Sequence, residues 1–138
     1  MASAITNMKI RIPWWLAGII ILETLPMFLG PVAAIMNPAF MGGPDAMEIN
    51  QATFVYAARN LAVGLAFTLA FALKNGPMLF ILIVIRLITD AIDLPTFLLF
   101  DLAASPARLI AIFVFLYYIP AVIALRYIWS QMSKAGRP

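Results

Sequence analysis

The chain of 138 residues contains no cysteine and no histidine. Disulfides, thiol redox chemistry, thiolate metal sites, histidine-ligated haem and a histidine general base are therefore excluded. The nucleotide-binding patterns GxxxxGK[ST] and GxGxxG are also missing from the sequence. We therefore expect no intrinsic cofactor and no metal site, and most common enzyme chemistries are closed to this chain alone.

Charge is scarce as well, since only 11% of the residues are charged while 64% are hydrophobic. A soluble domain averages about 25% charged residues, so this composition is typical of an integral membrane protein. The formal net charge of +3 comes from scattered basic residues. Such a distribution suits the lipid bilayer as a partner and does not favour nucleic acid. The length predicts a single domain, residues 1–138.

Four apolar segments are long enough to cross a bilayer core, which takes about 20 helical residues. They cover residues 14–36, 53–73, 78–100 and 107–129. The tetrapeptide Lys74-Asn75-Gly76-Pro77 predicts a tight turn between the second and third segments. Ser105-Pro106 predicts a capped start for the fourth helix. The sequence thus predicts an all-α fold, a four-helix transmembrane bundle.

Residues 37–52 form the long connection of the chain, and they follow the first apolar segment. Two interpretations remain open for them. They are either a plain linker or a lid over the outer mouth of the bundle, with a short amphipathic piece from Asp45 to Gln51.

The basic residues predict the orientation of the four segments. One side carries most of them: Lys9, Arg11, Lys74, Arg126, Lys134 and Arg137. The other side carries Arg108 beside three acids: Asp45, Glu48 and Asp101. By the positive-inside rule both termini face the cytoplasm. Aromatic residues expected at the cytoplasmic interface agree with this: Trp14, Trp15, Tyr127 and Trp129. We expect the membrane to be a bacterial inner membrane.

Five ionisable residues lie inside these apolar segments: Glu23, Arg59, Arg86, Asp90 and Asp93. A charge near the bilayer centre costs about 2.5–3.5 kcal/mol on insertion scales. Such charges must therefore be paired, hydrated or used in function. Two arginines against three carboxylates nearly balance.

Helical geometry assigns these charges to faces and partners. Arg86, Asp90 and Asp93 fall on one face of the third helix, at about 100° per residue. Arg59 shares a face with small residues such as Ala62 and Ala66, which predicts that this face packs against another helix. Depth along the helices predicts a contact between Glu23 and Arg86 and a cluster of Arg59 with Asp90 and Asp93.

The neighbouring Asn60 is expected to hydrogen-bond to another helix. The candidate site is a polar network without an assigned catalytic residue: Glu23, Arg59, Asn60, Arg86, Asp90 and Asp93. The network either orders the bundle, or contacts a ligand, lipid head group or proton, or meets a partner subunit. The fourth helix has no ionisable residue in its middle, so we expect it to face lipid or another subunit.

Three stretches of the sequence resemble the DoxX-like group of small four-helix membrane proteins. They are Leu25-Pro26-Met27-Phe28-Leu29-Gly30-Pro31, Ala58-Arg59-Asn60-Leu61-Ala62-Val63-Gly64, and Arg86-Leu87-Ile88-Thr89-Asp90 with Asp93 after it. The resemblance implies a four-helix bundle. For some relatives it also implies association with quinone-linked redox enzymes as a membrane subunit.

Leu22-Glu23-Thr24 is similar to a second group, the small multidrug-resistance transporters, which have a glutamate in the first span. The long first connection, the charges in the second and third segments and the lack of a glycine-rich third segment argue against this group.

The leading functional hypothesis is an accessory or structural membrane subunit with a buried network that offers a site for a lipid or quinone-like ligand. Its partners would be other membrane subunits or further copies of the chain. The alternative is a proton-coupled small-molecule transporter that acts as a homodimer and uses Glu23. A third hypothesis is an enzyme that acts on a lipid, with Asp90 or Asp93 as acid or base, although no nucleophile or metal constellation accompanies them.

Overall fold

The computed structural model describes residues 8–42, 47–99 and 105–135, and these residues are folded mainly into helices. Four residues used in the boundary and orientation predictions lie outside the described residues: Asp45, Phe100, Asp101 and Arg137. The start of the amphipathic piece predicted from Asp45 is therefore also outside them.

The described helices follow the predicted apolar segments closely. They are α1 (Trp14–Met36), α2 (Ala39–Gly42), α3 (Gln51–Ala72), α4 (Gly76–Leu99), α5 (Pro106–Ile112), a π-helical segment (Phe113–Tyr118) and α6 (Ile119–Ala135). The C-terminal helix runs six residues beyond the predicted end at Trp129. Gln131, Ser133 and Lys134 are polar and half-buried or exposed, so the helix continues after the apolar stretch has ended.

The helices α1, α3 and α5–α6 are long and apolar enough to cross a membrane, over Trp14–Met36, Gln51–Ala72 and Pro106–Lys134. The helix α4 has 24 residues, a length that also suffices for a bilayer core. Its three charged residues, Arg86, Asp90 and Asp93, distinguish its composition from that of the other three long helices.

The four long helices lie side by side in a closed ring. The helix α1 packs most extensively against α3, and α4 packs most extensively against α6. Smaller contacts between α3 and α4 and between α1 and α6 complete the ring. The helices α1 and α4 therefore stand diagonally across the bundle.

The start of α1 and the end of α6 lie at the same end of the bundle. Tyr127 Oη donates a hydrogen bond to the Arg11 carbonyl at 3.2 Å, and the rings of Trp15 and Tyr127 meet edge to face at 4.9 Å. The turn before α4 is at this end too, because Ile10 N donates to the Lys74 carbonyl and Gly76 N to the Met8 carbonyl, both at 3.0 Å. We call this end the terminal end and the other the distal end.

A π-helical segment, Phe113–Tyr118, ends two residues before Pro120. Proline has no N–H to donate to the carbonyl four residues earlier, so the helix must rearrange upstream of it. A π-helical turn rotates the following residues relative to the preceding ones. The segment begins at Phe113 and contains Tyr117, and both residues point into the bundle.

The buried core near the terminal end is aliphatic and aromatic, with Leu16, Ile20, Phe67, Leu79 and Ile83 almost without exposed surface. Toward the distal end the interface between α1 and α3 narrows around Gly64. A Cβ atom built on Gly64 would lie 2.9 Å from Met27 Cβ and 3.1 Å from Phe28 Cζ. The missing side chain at this position allows the two backbones to approach closely.

Gly64→Ala is expected to destabilise the bundle by about 1–3 kcal/mol, because Met27 Cβ is fixed to the α1 backbone and cannot move away cheaply. The measurement is thermal unfolding of the purified protein in lipid nanodiscs. Gly18→Ala is the matched control, since a Cβ there meets no atom within 4 Å. Equal unfolding temperatures for the two variants would show that the close approach is unimportant.

Candidate functional site

The middle of the bundle contains a charged triad of Glu23 from α1 and Arg86 and Asp90 from α4. Arg86 Nε lies 3.8 Å from Glu23 Oε2, and Arg86 Nη1 lies 2.8 Å from Asp90 Oδ1. The three side chains are 8% exposed or less. The predicted Glu23–Arg86 contact is thus present, and it joins the two diagonal helices.

The packing of the helices explains why these residues meet. Arg86 and Asp90 are one helical turn apart on the buried face of α4, together with Leu79 and Ile83. Glu23 lies on the buried face of α1, between Ile20 and Met27. Glu23 and Arg86 lie about 14 and 15 Å from the terminal ends of their helices at about 1.5 Å per residue, so the two side chains are level.

Hydrogen bonding within the triad is incomplete. The close Arg86–Asp90 approach is not aligned as a hydrogen bond, and both oxygens of Asp90 accept none from the described residues. The same holds for both oxygens of Glu23 and for Arg86 Nε within residues 8–42, 47–99 and 105–135. A buried acceptor without a donor is unfavourable, so this site is open to an additional hydrogen-bond donor.

Arg59 and Asp93 form a second ion pair, between α3 and α4. Arg59 Nη2 donates to both carboxylate oxygens of Asp93, at 3.0 and 2.9 Å. The Arg59 side chain is 41% exposed and that of Asp93 16%. The predicted Arg59–Asp93 contact is present, but Asp90 belongs to Arg86 and not to this pair, because Arg86 is one turn away on the same helix face.

The predicted packing face of α3 is wrong around Arg59. Arg59 and Ala62 are exposed there and Ala66 is half-buried, whereas the buried face contains Asn60 and Gly64. The predicted face was chosen by its small residues alone, but Gly64 permits the closest helix approach and therefore fixes the rotation of α3. The expected interhelical bond of Asn60 is also absent from the described hydrogen bonds, since its Nδ2 donates to the Tyr56 carbonyl of the same helix at 2.8 Å.

A cavity of about 250 Å³ opens beside the triad toward the distal end. Its charged lining comes from α4: Arg86, Asp90 and Asp93. Five aromatic rings form much of the remaining wall: Phe40, Tyr56, Phe97, Phe113 and Tyr117. Consecutive rings are in contact from α2 to the π-helical segment, since Phe40 meets Phe97, Phe97 meets Phe113, and Phe113 meets Tyr117 at centroid distances of 5.7–6.4 Å.

The contribution of the fourth predicted segment differs from the expectation that it faces only lipid or another subunit. The Arg86 guanidinium lies 5.5 Å from the ring centroid of Tyr117, a cation–π distance. Phe113 is buried and Tyr117 lines the cavity. The signal in the sequence was the phenol of Tyr117 in mid-helix, since a hydroxyl at that depth needs a polar neighbour.

The connection after α1 also reaches the site, because Phe40 on the short helix α2 lines the cavity and meets the ring of Tyr56 at 6.0 Å. This contact agrees with the interpretation of the connection as a lid more than with a plain linker. Pro26 and Met27 of α1 add apolar lining opposite.

In comparisons with known proteins, no family model, no curated protein and no solved structure matches this chain. The DoxX-like resemblance of the three sequence stretches therefore stays a prediction.

Arg86→Met is expected to lower the free energy of unfolding by about 3–5 kcal/mol, because two buried carboxylates lose their shared counter-charge. Denaturant titration in mixed micelles measures it. Glu23→Gln added to this variant should restore part of the loss, since one uncompensated charge is then removed.

The matched control is Arg59→Met, which removes the same side chain from the half-exposed pair. Solvent or lipid head groups can reach Asp93 there, so a smaller loss is expected. If the free energy of unfolding falls equally in both variants, burial of Arg86 in the triad does not increase its contribution to stability.

Proposed function

We propose that this protein is a small accessory subunit of a larger membrane complex, which binds a small ligand inside a four-helix transmembrane bundle. The observation that carries the proposal is the cavity of about 250 Å³, bounded by a buried charged triad and a wall of aromatic rings. Concave sites with mostly apolar lining and a few convergent polar groups are the usual form of ligand sites.

The proposal includes the topology of the bundle. The helix α4 would be the fourth span, with its charges turned to the interior as charges in membrane helices usually are. The terminal end would face the cytoplasm, because Lys9, Arg11, Lys74, Arg126 and Lys134 gather there. The compartment would then be a bacterial inner membrane.

The half-exposed pair supports the role as a subunit. Arg59 lies about 12 Å inside α3 from its distal end at about 1.5 Å per residue, and it is exposed on the bundle flank. Large apolar side chains are exposed along the same helix: Phe54, Val55, Leu61, Leu65 and Leu69. A guanidinium in such a position favours a partner subunit or a lipid head group as its neighbour. A lipid or quinone-like ligand would agree with the DoxX-like resemblance, which implies association of some relatives with quinone-linked redox enzymes.

Native mass spectrometry of the gently extracted protein tests this proposal. We expect masses above the 15.2 kDa of one chain that contain another membrane subunit and a retained small molecule. Asp90→Asn should release the small molecule and keep the subunit, while Arg59→Met should weaken the subunit contact. A bare single chain without ligand, from membranes that contain the whole complex, would contradict the proposal.

A second candidate function is a proton-coupled transporter that acts as a homodimer and uses Glu23. The observation in its favour is that Glu23 is completely buried, and neither of its oxygens accepts a hydrogen bond from the described residues. A carboxyl group of this kind is able to take up and release a proton as its surroundings change.

Proteoliposomes with a pH gradient test the transporter. If the protein is a transporter, the gradient drives uptake of a small substrate, and Glu23→Gln abolishes the coupling. Glu48→Gln is the control, since this exposed carboxylate lies outside the described helices. Absence of any gradient-driven flux with wild-type protein would leave the accessory subunit as the function.

A further inference from the structure

We propose that the cavity binds a small protonated amine with an apolar body, held by Asp90 and the surrounding aromatic rings. This inference rests on the proposed ligand site and names the chemical class of its occupant.

Carboxylates outnumber guanidiniums at the cavity. Within the described part of the chain, its charged lining is Arg86, Asp90 and Asp93. With their ion-pair partners Glu23 and Arg59 included, two guanidiniums face three carboxylates. One formal negative charge is therefore in excess. A ligand with a single positive charge would neutralise the lining, whereas a carboxylate or phosphate would add to the excess.

The carboxylate of Asp90 is buried beside the cavity without a hydrogen-bond donor from the described residues. It is 1% exposed and lines the cavity, and its oxygens accept no hydrogen bond from the described residues. Asp93 differs, because both of its oxygens already accept from Arg59. An ammonium group offers up to three N–H donors, which the oxygens of Asp90 lack among the described residues, and it adds a second positive charge to that of Arg86.

Aromatic rings form much of the cavity wall, and such rings favour a cationic ligand. Ring faces attract cations, and a cation removed from water gains about 2 kcal/mol or more from such a contact. Tyr117 already has the Arg86 guanidinium near its ring, which shows that this wall accepts positive charge. The rings of Phe97 and Phe113 lie farther along the cavity, where the apolar body of an amine would pack.

The volume limits the size of the ligand. A cavity of about 250 Å³ is smaller than most pockets for drug-sized molecules, which begin at about 300 Å³. The occupant is therefore a compact amine with one ring or a short alkyl chain. A quinone would use its carbonyl oxygens as acceptors, and it would leave the oxygens of Asp90 without a donor.

Isothermal titration calorimetry with the protein in zwitterionic nanodiscs tests the inference with three matched probes. They are 2-phenylethylammonium, the neutral 2-phenylethanol and the anionic 3-phenylpropionate. We expect saturable binding of the amine, at least tenfold tighter than that of the alcohol, and no binding of the anion. Empty nanodiscs correct for partition into lipid.

Asp90→Asn is expected to weaken amine binding at least tenfold, while the surface control Glu48→Gln leaves it unchanged. If Asp90→Asn does not fold, the comparison of amine and alcohol with wild-type protein still decides the question. Equal binding of amine and alcohol, or tighter binding of the anion, would overturn the inference.

A short-chain quinone serves as a fourth probe and separates the two proposals. If the quinone binds and the amine does not, the ligand site stands and its assignment to amines is wrong. If neither binds and native mass spectrometry finds no retained molecule, both the amine assignment and the ligand site of the proposed function fail.

Discussion

One guanidinium, that of Arg86, organises the middle of this protein. It lies between the carboxylates of Glu23 and Asp90 and connects α1 to α4 across the diagonal of the bundle. Neighbouring helices in the ring are joined by apolar packing, but these two helices have few backbone contacts and depend on long side chains. A charge buried at this depth tolerates few alternative positions, because each displacement leaves a charged group without its partner. The triad therefore fixes the register of α1 against α4.

The geometry of the triad is suited to more than holding helices together. A network that served only assembly would be expected to satisfy its buried acceptors, since each unsatisfied one is unfavourable by about 1–3 kcal/mol. Here the oxygens of Glu23 and Asp90 accept no hydrogen bond from the described residues, and Asp90 borders a cavity. Unsatisfied polar groups beside a cavity are typical of sites that a ligand, an ion or water completes. This feature supports the proposed ligand-binding interpretation of the network.

Much of the fold follows from the sequence, because the constraints are strong. Apolar length predicts α1 and α3 almost to the residue, and Ser105 caps the helix that begins at Pro106, as the sequence predicts. Depth along the helices gives the Glu23–Arg86 and Arg59–Asp93 pairs, since opposite charges at one level must find each other. The rotation of α3 could not be predicted, because alanines and Gly64 suggest different packing faces and only the fit against Met27 decides between them. The aromatic wall could not be predicted for a related reason, since the π-helical segment changes the helical spacing at Phe113 and Tyr117, and the phenol of Tyr117 alone does not indicate which face it takes.

The two ion pairs differ in a way that bears on how a ligand reaches the interior. The triad is closed to solvent, whereas Arg59 is 41% exposed and its partner Asp93 lines the cavity. The outer pair therefore stands between the cavity and the flank of the bundle. Release of Arg59 from Asp93 would expose a carboxylate to an approaching cation while Arg86 stays in place, because the triad joins α1 to α4 and does not involve α3. A route past this pair would deliver a cation from one carboxylate to the next, from Asp93 to Asp90 one turn deeper on α4. In that case the Arg59–Asp93 pair would admit a ligand, while the triad around Arg86 would maintain the fold.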